Sequence, residues 1–263
     1  MAETNQTAES VDPLSPALAD IPPLTCYTAV ADDERIEALR LIADSVAQQR
    51  QDAAKAIIFH PAILGVAVVV LAVVHRLLYT TRGDVALIGT TWAGCVMAGL
   101  VAVRGATSGY LELAEKTGTW AWLQEGRQQH EDEEEGEDMI LVTKYGTEII
   151  GALVLRAEGD PNSCGDPAAA AAASPTMLGI IRAWTVKRRF RRKGIGAGLL
   201  EEAVSVCRTR HWDGPIFADS HANSGRLLPR MFNASVSGME RRARVALDKV
   251  ANNQRGRKEE NQK

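Results

Sequence analysis

The alternation of hydrophobic and polar positions near the start of the chain predicts a strand followed by an amphipathic helix. Residues 24–30 are a short apolar stretch suited to a strand. Asp32 or Asp33 can then cap a helix. Apolar side chains recur after it at spacings of three and four, at Ile36, Leu39, Ala43 and Val46. These positions form one stripe on a helix, so an amphipathic helix is expected here.

Two uncharged apolar segments follow, and each is long enough to cross a bilayer. Residues 57–74 contain no Asp, Glu, Lys or Arg, and His60 is their one ionisable group. A helix of that length spans roughly 27 Å, close to the thickness of the hydrocarbon core. After a polar turn at residues 80–84, residues 85–103 are again uncharged. The pattern predicts two tandem helices.

We interpret residues 56–104 as a transmembrane helical hairpin. Gly89, Gly94 and Gly99 suit close helix–helix contact in a membrane. A buried helix pair in a soluble core is one alternative. A re-entrant or in-plane hairpin is another, because Pro61 shortens the first segment.

Beyond the hairpin, the pattern changes from one helix to a series of strands. Residues 108–124 are predicted to form an amphipathic helix. Strands are predicted over residues 139–143, 147–155 and 177–186, with a further short strand over residues 215–218.

Four segments carry polar or low-complexity sequence. We expect a disordered N-terminus over residues 1–23, a solvated acidic linker over residues 131–138 and an insertion loop over residues 158–175. Residues 235–263 are expected to be a basic helical tail, with the helix over residues 239–250. Arg241, Arg242 and Arg244 would lie on a membrane surface or simply in solvent.

A cationic turn with glycines separates the strand at residues 177–186 from the next predicted helix, over residues 199–208. Positive charge is dense from Lys187 to Lys193, and glycines follow at 194, 196 and 198. A strand, a glycine turn and a helix start present free backbone N–H groups and a positive dipole end to an anion. Lys and Arg add attraction for phosphates.

The string over residues 186–200 resembles the acetyl-CoA loop of the GNAT superfamily of N-acetyltransferases. That pattern is roughly V-x-P-x-Y-R-G-x-G-x-G/A-x-x-L-L. The likeness is carried by Val186, Phe190, Arg191, Gly194, Gly196, Leu199 and Leu200. Arg188 replaces the proline, and Arg192 replaces the first glycine. The alternatives are an ordinary basic run before an amphipathic helix and a nuclear-import patch.

The resemblance implies an α/β (α+β) fold, with a GNAT-like mixed sheet and flanking helices. The domain would comprise residues 24–55 and 105–234, interrupted by the two-helix transmembrane hairpin. This arrangement is similar to membrane-tethered GNAT enzymes that acetylate cysteine conjugates.

The resemblance also implies where acetyl-CoA, the expected co-substrate, would bind. Its pyrophosphate would bind main-chain N–H groups of the loop. Its thioester carbonyl would accept a hydrogen bond from a backbone donor on the preceding strand. The implied cofactor-binding residues are Trp184, Thr185, Val186, Arg191, Arg192, Lys193, Gly194, Ile195, Gly196, Ala197 and Asn223. Asn223 would lie beside the CoA arm, or would only cap a helix expected over residues 224–232.

The catalytic groups are less visible in the sequence. An amine must lose a proton before it attacks a thioester, so a base is expected. The strand at residues 177–186 has no carboxylate, which leaves His221 and Asp219 as candidates for the base, or as ordinary cap and turn residues. All the tyrosines precede the loop, and the usual final strand pair of the family is missing.

The leading hypothesis is a membrane-anchored N-acetyltransferase that transfers acetyl from acetyl-CoA to an amine of a small molecule or protein. A catalytically impaired GNAT-like module that binds CoA or a partner is the alternative, and a basic-patch binder of nucleic acid or anionic lipid is a third. The net charge of −3 and the hairpin argue against a nucleic-acid partner. The scattered cysteines and histidines give no metal-ligand spacing.

The expected location is an intracellular membrane, with the endoplasmic reticulum as a candidate. The resemblance implies that one domain flanks the hairpin on both sides, so both flanks must lie on one face of the bilayer. The basic residues outside the hairpin favour the cytosolic face. They are Arg40, Arg50, Lys55, Arg104 and Lys116.

Overall fold

A computed structural model describes residues 22–125, 138–159, 177–219 and 221–261 of the 263-residue chain. Three expectations from the sequence lie largely outside these ranges. They are the disordered N-terminus at residues 1–23, the acidic linker at residues 131–138 and the insertion at residues 158–175.

A five-stranded mixed sheet forms the centre of the described structure. Its strands are β1 (Leu24–Thr28), β2 (Met139–Tyr145), β3 (Glu148–Gly159), β4 (Met177–Val186) and β5 (Asp213–Phe217), in the spatial order β1-β2-β3-β4-β5. The first four strands are antiparallel, and β5 runs parallel to β4. Residues 149–155 of β3 are all buried because helices cover both faces of the sheet.

Seven α-helices surround or extend from this sheet. They are α1 (Asp32–Ile58), α2 (Pro61–Leu78), α3 (Val85–Ala106), α4 (Gly109–Thr117), α5 (Trp120–Gln124), α6 (Ile195–Thr209) and α7 (Ala234–Asn261), within the described residues. One core packs Leu39 and Ile42 of α1 against Ile140 of β2. The other packs Leu199 of α6 and Leu247 of α7 against the opposite sheet face.

Helices α2 and α3 form the hairpin that was expected between the first two amphipathic helices. No residue of α2 is buried, and both helices are long and apolar enough to cross a membrane. Pro61 is the first residue of α2, and the His60 Nδ1 accepts a hydrogen bond from the Ala62 N–H at 3.2 Å. Trp92 Nε1–H donates to the Leu71 carbonyl at 3.1 Å and joins the two helices.

The region after β5 differs most from the sequence-based expectation. The helix expected over residues 224–232 is absent, and only two short 3₁₀ turns form, at Ala222–Ser224 and Arg230–Phe232. Gly225 and Pro229 account for this, since glycine weakens a helix and proline disfavours helical geometry in the residue before it.

Two helix boundaries also differ from expectation. Helix α7 runs from Ala234 to Asn261, well beyond the expected residues 239–250. Helix α6 begins at Ile195, four residues before the expected start, because Gly194 adopts a left-handed conformation that turns the chain directly into the helix.

Candidate functional site

Strands β4 and β5 separate and leave a cleft beside the end of β4. They pair at Leu178 with Asp213, at Ile180 with Ile216 and at Ile181 with Phe217. Beyond these pairs β4 continues to Val186, whereas the chain after β5 turns away. One edge of β4 is therefore released from the sheet over its last residues.

The register of β4 shows which backbone groups face this cleft. The Lys187 N–H donates to the Ile150 carbonyl on β3 at 2.7 Å. Antiparallel residues alternate between facing the partner strand and facing away from it, so Thr185 also faces β3. The N–H and carbonyl groups of Trp184 and Val186 consequently face the cleft.

Side chains of the protein bind the two carbonyls that face the cleft. Asn223 Nδ2 donates to the Trp184 carbonyl at 2.9 Å, and Arg191 Nε donates to the Val186 carbonyl at 2.8 Å. The two N–H groups on the same edge are the donors that this edge offers to a ligand.

The glycine turn packs directly against β4. Gly194 has φ +86°, and a Cβ at Gly196 would lie 2.8 Å from Cζ2 of Trp184. Trp184 Nε1–H donates to the Gly196 carbonyl at 3.2 Å. Arg192, which replaces the first glycine of the family pattern, has φ +64°, a conformation that costs a non-glycine residue about 1–2 kcal/mol.

These elements enclose a cavity of about 380 Å³. Nine of the expected cofactor-binding residues line it, namely Trp184, Thr185, Val186, Arg191, Arg192, Gly194, Gly196, Ala197 and Asn223. Lys193 and Ile195 do not. The Lys193 Nζ lies 5.5 Å from the ring centre of Phe190, and Ile195 is buried in the core beneath α6.

Helix α1 forms a wall of the cavity that the sequence did not reveal. Ser45 Oγ and Gln49 Nε2 donate to Asn223 Oδ1 at 3.1 and 3.2 Å, and Gln49 Nε2 also lies 3.0 Å from the Asn223 carbonyl. Gln48 and Asp52 complete this wall. A signal was present, because Ser45, Gln49 and Asp52 recur at helical spacing beside the apolar stripe.

Asn223 therefore bridges α1 and β4 across the cleft. No helix follows it, so it does not act as the cap of a helix over residues 224–232. Its side chain uses both the amide donor and the carbonyl acceptor within the protein.

His221 lines the cavity, whereas Asp219 is exposed and does not. The Nδ1 of His221 accepts the Asn223 N–H at 3.2 Å, so the neutral ring carries its proton on Nε2. The lone pair on Nδ1 is thus already used by the Asn223 N–H, and Nε2–H is left as a hydrogen-bond donor. Nε2 is buried and has no partner among the residues that the structure describes.

Burial lowers the pKa of His221 below its ordinary value. The negative charge of Glu240 acts in the opposite direction, while Arg244 and Arg226 reinforce the lowering. The ring is consequently neutral near pH 7.

Helix α7 closes one side of the cavity. Met239, Glu240, Ala243 and Ala246 line it there. The carboxylate of Glu240 forms ion pairs with Arg226 and Arg244, so its charge is already balanced.

The fold and the loop geometry define a class of domain, and the comparison with protein families agrees. Residues 108–226 match the model of the acetyltransferase (GNAT) family. This part of the chain is therefore similar to a GNAT acetyltransferase domain. The fold class expected from the sequence, a GNAT-like mixed sheet with flanking helices, is confirmed. The two apolar helices α2 and α3, which are the candidate membrane spans, lie between α1 and α4.

Several solved acetyltransferase structures resemble this chain. Aminoglycoside acetyltransferase meta-AAC0020, from an uncultured soil metagenomic sample, is 13% identical with a TM-score of 0.29, and the match covers 45% of this chain and 63% of that one. HMB0005, an aminoglycoside acetyltransferase from an uncultured soil metagenomic sample, is 16% identical with a TM-score of 0.28, and the match covers 42% of this chain and 62% of that one. A GCN5-related N-acetyltransferase from Ralstonia eutropha JMP134 is 11% identical with a TM-score of 0.32, and the match covers 75% of this chain and 84% of that one.

The match thus spans less than two thirds of the length of either aminoglycoside acetyltransferase. No curated protein matches the chain.

Proposed function

We propose that this chain is an N-acetyltransferase that transfers acetyl from acetyl-CoA to a primary amine. The observation that carries the proposal is the released edge of β4, which lies beside the glycine-led start of α6. An extended ligand with amide groups can pair with such an edge, while its phosphates lie at the helix N-terminus.

The residues present fit acetyl-CoA. The cavity brings together the Trp184 and Val186 N–H groups, the loop of Gly194 and Gly196, and the cationic side chain of Arg192. When bound, acetyl-CoA supplies a thioester whose carbonyl carbon is attacked by the amine. A fixed backbone N–H on β4 would stabilise the negative charge that develops on the carbonyl oxygen, typically by about 3–4 kcal/mol in enzymes of this kind.

His221 is proposed to assist by hydrogen bonding rather than as the base. Its Nε2–H lines the cavity as a buried donor that has no partner in the described structure. Such a donor could bind the sulfur or the carbonyl oxygen of the ligand. Asp219, which is exposed and away from the cavity lining, is not assigned a part in this proposal.

A second function, that of a CoA-binding or partner-binding module without catalysis, is favoured by two observations. Asn223 and Arg191 already bind the carbonyls of Trp184 and Val186. A pantetheine arm that donates to these carbonyls would have to displace both side chains. No tyrosine of the described ranges lines the cavity to protonate a leaving thiolate.

We further propose that α2 and α3 anchor the chain in an intracellular membrane, with the endoplasmic reticulum as a candidate and the proposed acetyltransferase domain in the cytosol. The exposed apolar surfaces of both helices support this, since they need a covering of similar polarity. Both flanks of the hairpin contribute to one sheet-centred core, so they must lie on the same side.

Two measurements on the detergent-solubilised full chain test the proposal. Acetyl-CoA at 100 times its dissociation constant should stabilise the fold by about 2.7 kcal/mol, whereas ATP should not. Free thiol should then appear when amines are added. Without a response to acetyl-CoA, the acetyltransferase and the CoA-binding form of the second function would be refuted; binding without thiol release across a broad amine panel would leave the non-catalytic module.

A further inference from the structure

The α1 wall of the cavity holds two hydrogen-bond acceptors that nothing in the described protein uses. Gln49 is only 6% exposed, and its Oε1 has no hydrogen-bond partner. The amide orientation is fixed, because Nε2 donates to both oxygens of Asn223. Asp52 makes no hydrogen bond or ion pair with any residue in the described ranges.

Gln49 and Asp52 lie on the same face of α1. They are three residues apart, a spacing that makes side chains neighbours on a helix. Both line the main cavity, and both also line a small adjoining cavity of about 10 Å³. They therefore mark the junction between the two spaces.

The other carboxylate of the cavity cannot serve in the same way. Glu240 is already bound to Arg226 and Arg244. Asp52 is thus the lining carboxylate that can accept a new cationic partner. Its charge does act on Arg191 from a distance, where it opposes the lowering of the Arg191 pKa by burial and by Arg188.

The position of Asp52 along α1 places it close to the hairpin. Asp52 lies six positions before Ile58, the last residue of α1, which is about 9 Å along the helix axis. The polar layer of a bilayer is about 5–7 Å thick on each side. Ala56, near the end of α1, lines the small cavity, and Phe232, which also lines it, contacts the ring of His60 at the start of the hairpin.

We infer that Gln49 and Asp52 form the binding site for the ammonium group of the acceptor, and that the acceptor is an amphiphilic primary amine held at the bilayer surface. An ammonium group has three N–H donors, and the two acceptors would satisfy two of them. One proton passes to solvent, which reaches the site at the exposed Asp52, before the neutral nitrogen attacks. The inference rests on the proposed acetyltransferase function and on the hairpin as a membrane anchor.

The experiment uses the full chain in lipid nanodiscs with dodecylamine and n-butylamine, which share a head group and differ in the tail. Asp52→Asn should raise the KM for dodecylamine about tenfold or more, because a charge-assisted contact is lost. The dissociation constant of acetyl-CoA should change by less than about twofold. Asp44→Asn, the same change on an exposed face of α1, is the control and should alter neither value.

The outcomes separate the possibilities. An unchanged amine KM in Asp52→Asn, or a loss of acetyl-CoA binding together with amine binding, overturns the site. Equal kcat/KM for butylamine and dodecylamine in the wild type overturns the surface acceptor. Asp52→Glu retains the charge and should recover most of the amine affinity, which distinguishes a charge effect from misfolding. A wild type that fails to bind acetyl-CoA refutes the proposed function instead.

Discussion

Replacing Gly196 with alanine tests the contact between the glycine turn and β4. The new Cβ would lie 2.8 Å from Cζ2 of Trp184, whereas ordinary contacts begin at 3.4 Å, so the two groups must move apart by at least about 0.6 Å. Trp184 has little room to move. Its Nε1–H is bonded to the Gly196 carbonyl, and its ring lies against Phe217.

The expected cost follows from these constraints. Overpacking of this kind typically destabilises a fold by 1–3 kcal/mol, whereas exchanging glycine for alanine in a helix returns about 0.5–1 kcal/mol. We therefore expect Gly196→Ala to lose about 1–2 kcal/mol. For a domain of this size, that is a fall of roughly 2–8 °C in the thermal midpoint. Acetyl-CoA affinity should fall as well, since Trp184 and the turn both line the cavity.

Gly198→Ala is the matched control. It introduces the same methyl group into the same helix two residues later, where a Cβ would have no neighbour within 4 Å. It should raise the thermal midpoint slightly and leave acetyl-CoA binding intact. Thermal unfolding in detergent and calorimetric titration with acetyl-CoA give both quantities. If Gly196→Ala behaves like Gly198→Ala in both assays, the close packing of the turn on Trp184 is refuted.

Three further changes test other parts of the site. Arg192→Gly should stabilise the fold by about 0.5–1 kcal/mol by relieving the positive φ, yet weaken acetyl-CoA binding and its salt dependence through the lost charge; unfolding and titration at two salt concentrations measure these effects. Asn223→Asp should destabilise the fold by about 1–3 kcal/mol, because it removes the donor to the Trp184 carbonyl, as thermal unfolding would show. Because the pKa of His221 is lowered in the folded protein, the unfolded chain takes up a proton more readily than the folded one. Stability should therefore fall as the pH drops below about 6.5, by at most about 1.4 kcal/mol per pH unit. His221→Asn should reduce that slope.

Each of these expectations has a result that contradicts it. A less stable Arg192→Gly variant would argue against backbone strain at that position, and Arg189→Gly is the comparison for lost charge without a positive φ. An Asn223→Asp variant as stable as the wild type would show that the bridge to Trp184 carries no weight. An identical pH slope in His221→Asn would mean that another group titrates.

The sheet and its order were largely predictable from the sequence. The strands at residues 139–143, 147–155 and 177–186 have apolar runs that a sheet covered on both faces requires, and the structure confirms them with small shifts at their ends. The glycine turn could be recognised in the sequence because a run of Lys and Arg followed by closely spaced glycines is typical of few other structures. The start of helix α6 was predicted four residues too late, since glycines in a first helical turn resemble a loop in sequence.

The cavity walls were harder to predict because they depend on contacts between distant segments. Gln49 and Asn223 are hydrogen-bonded although 174 residues separate them, and no local pattern specifies such a pair. Helix α7 could be expected as a helix, but its place against α6 and the cavity could not. The helix expected over residues 224–232 came from the family resemblance, in which Asn223 opens the next helix, and Gly225 and Pro229 prevent it here.

The proposed function requires that acetyl-CoA binds along the released edge of β4 and at the start of α6. Amide hydrogen exchange of the full chain, followed by mass spectrometry with and without acetyl-CoA, tests this most directly. We predict slower exchange in peptides that contain residues 184–199, with the Val186 amide among the most protected, and little change in β1. Protection confined to other segments, or no protection at saturating acetyl-CoA, would contradict the claim.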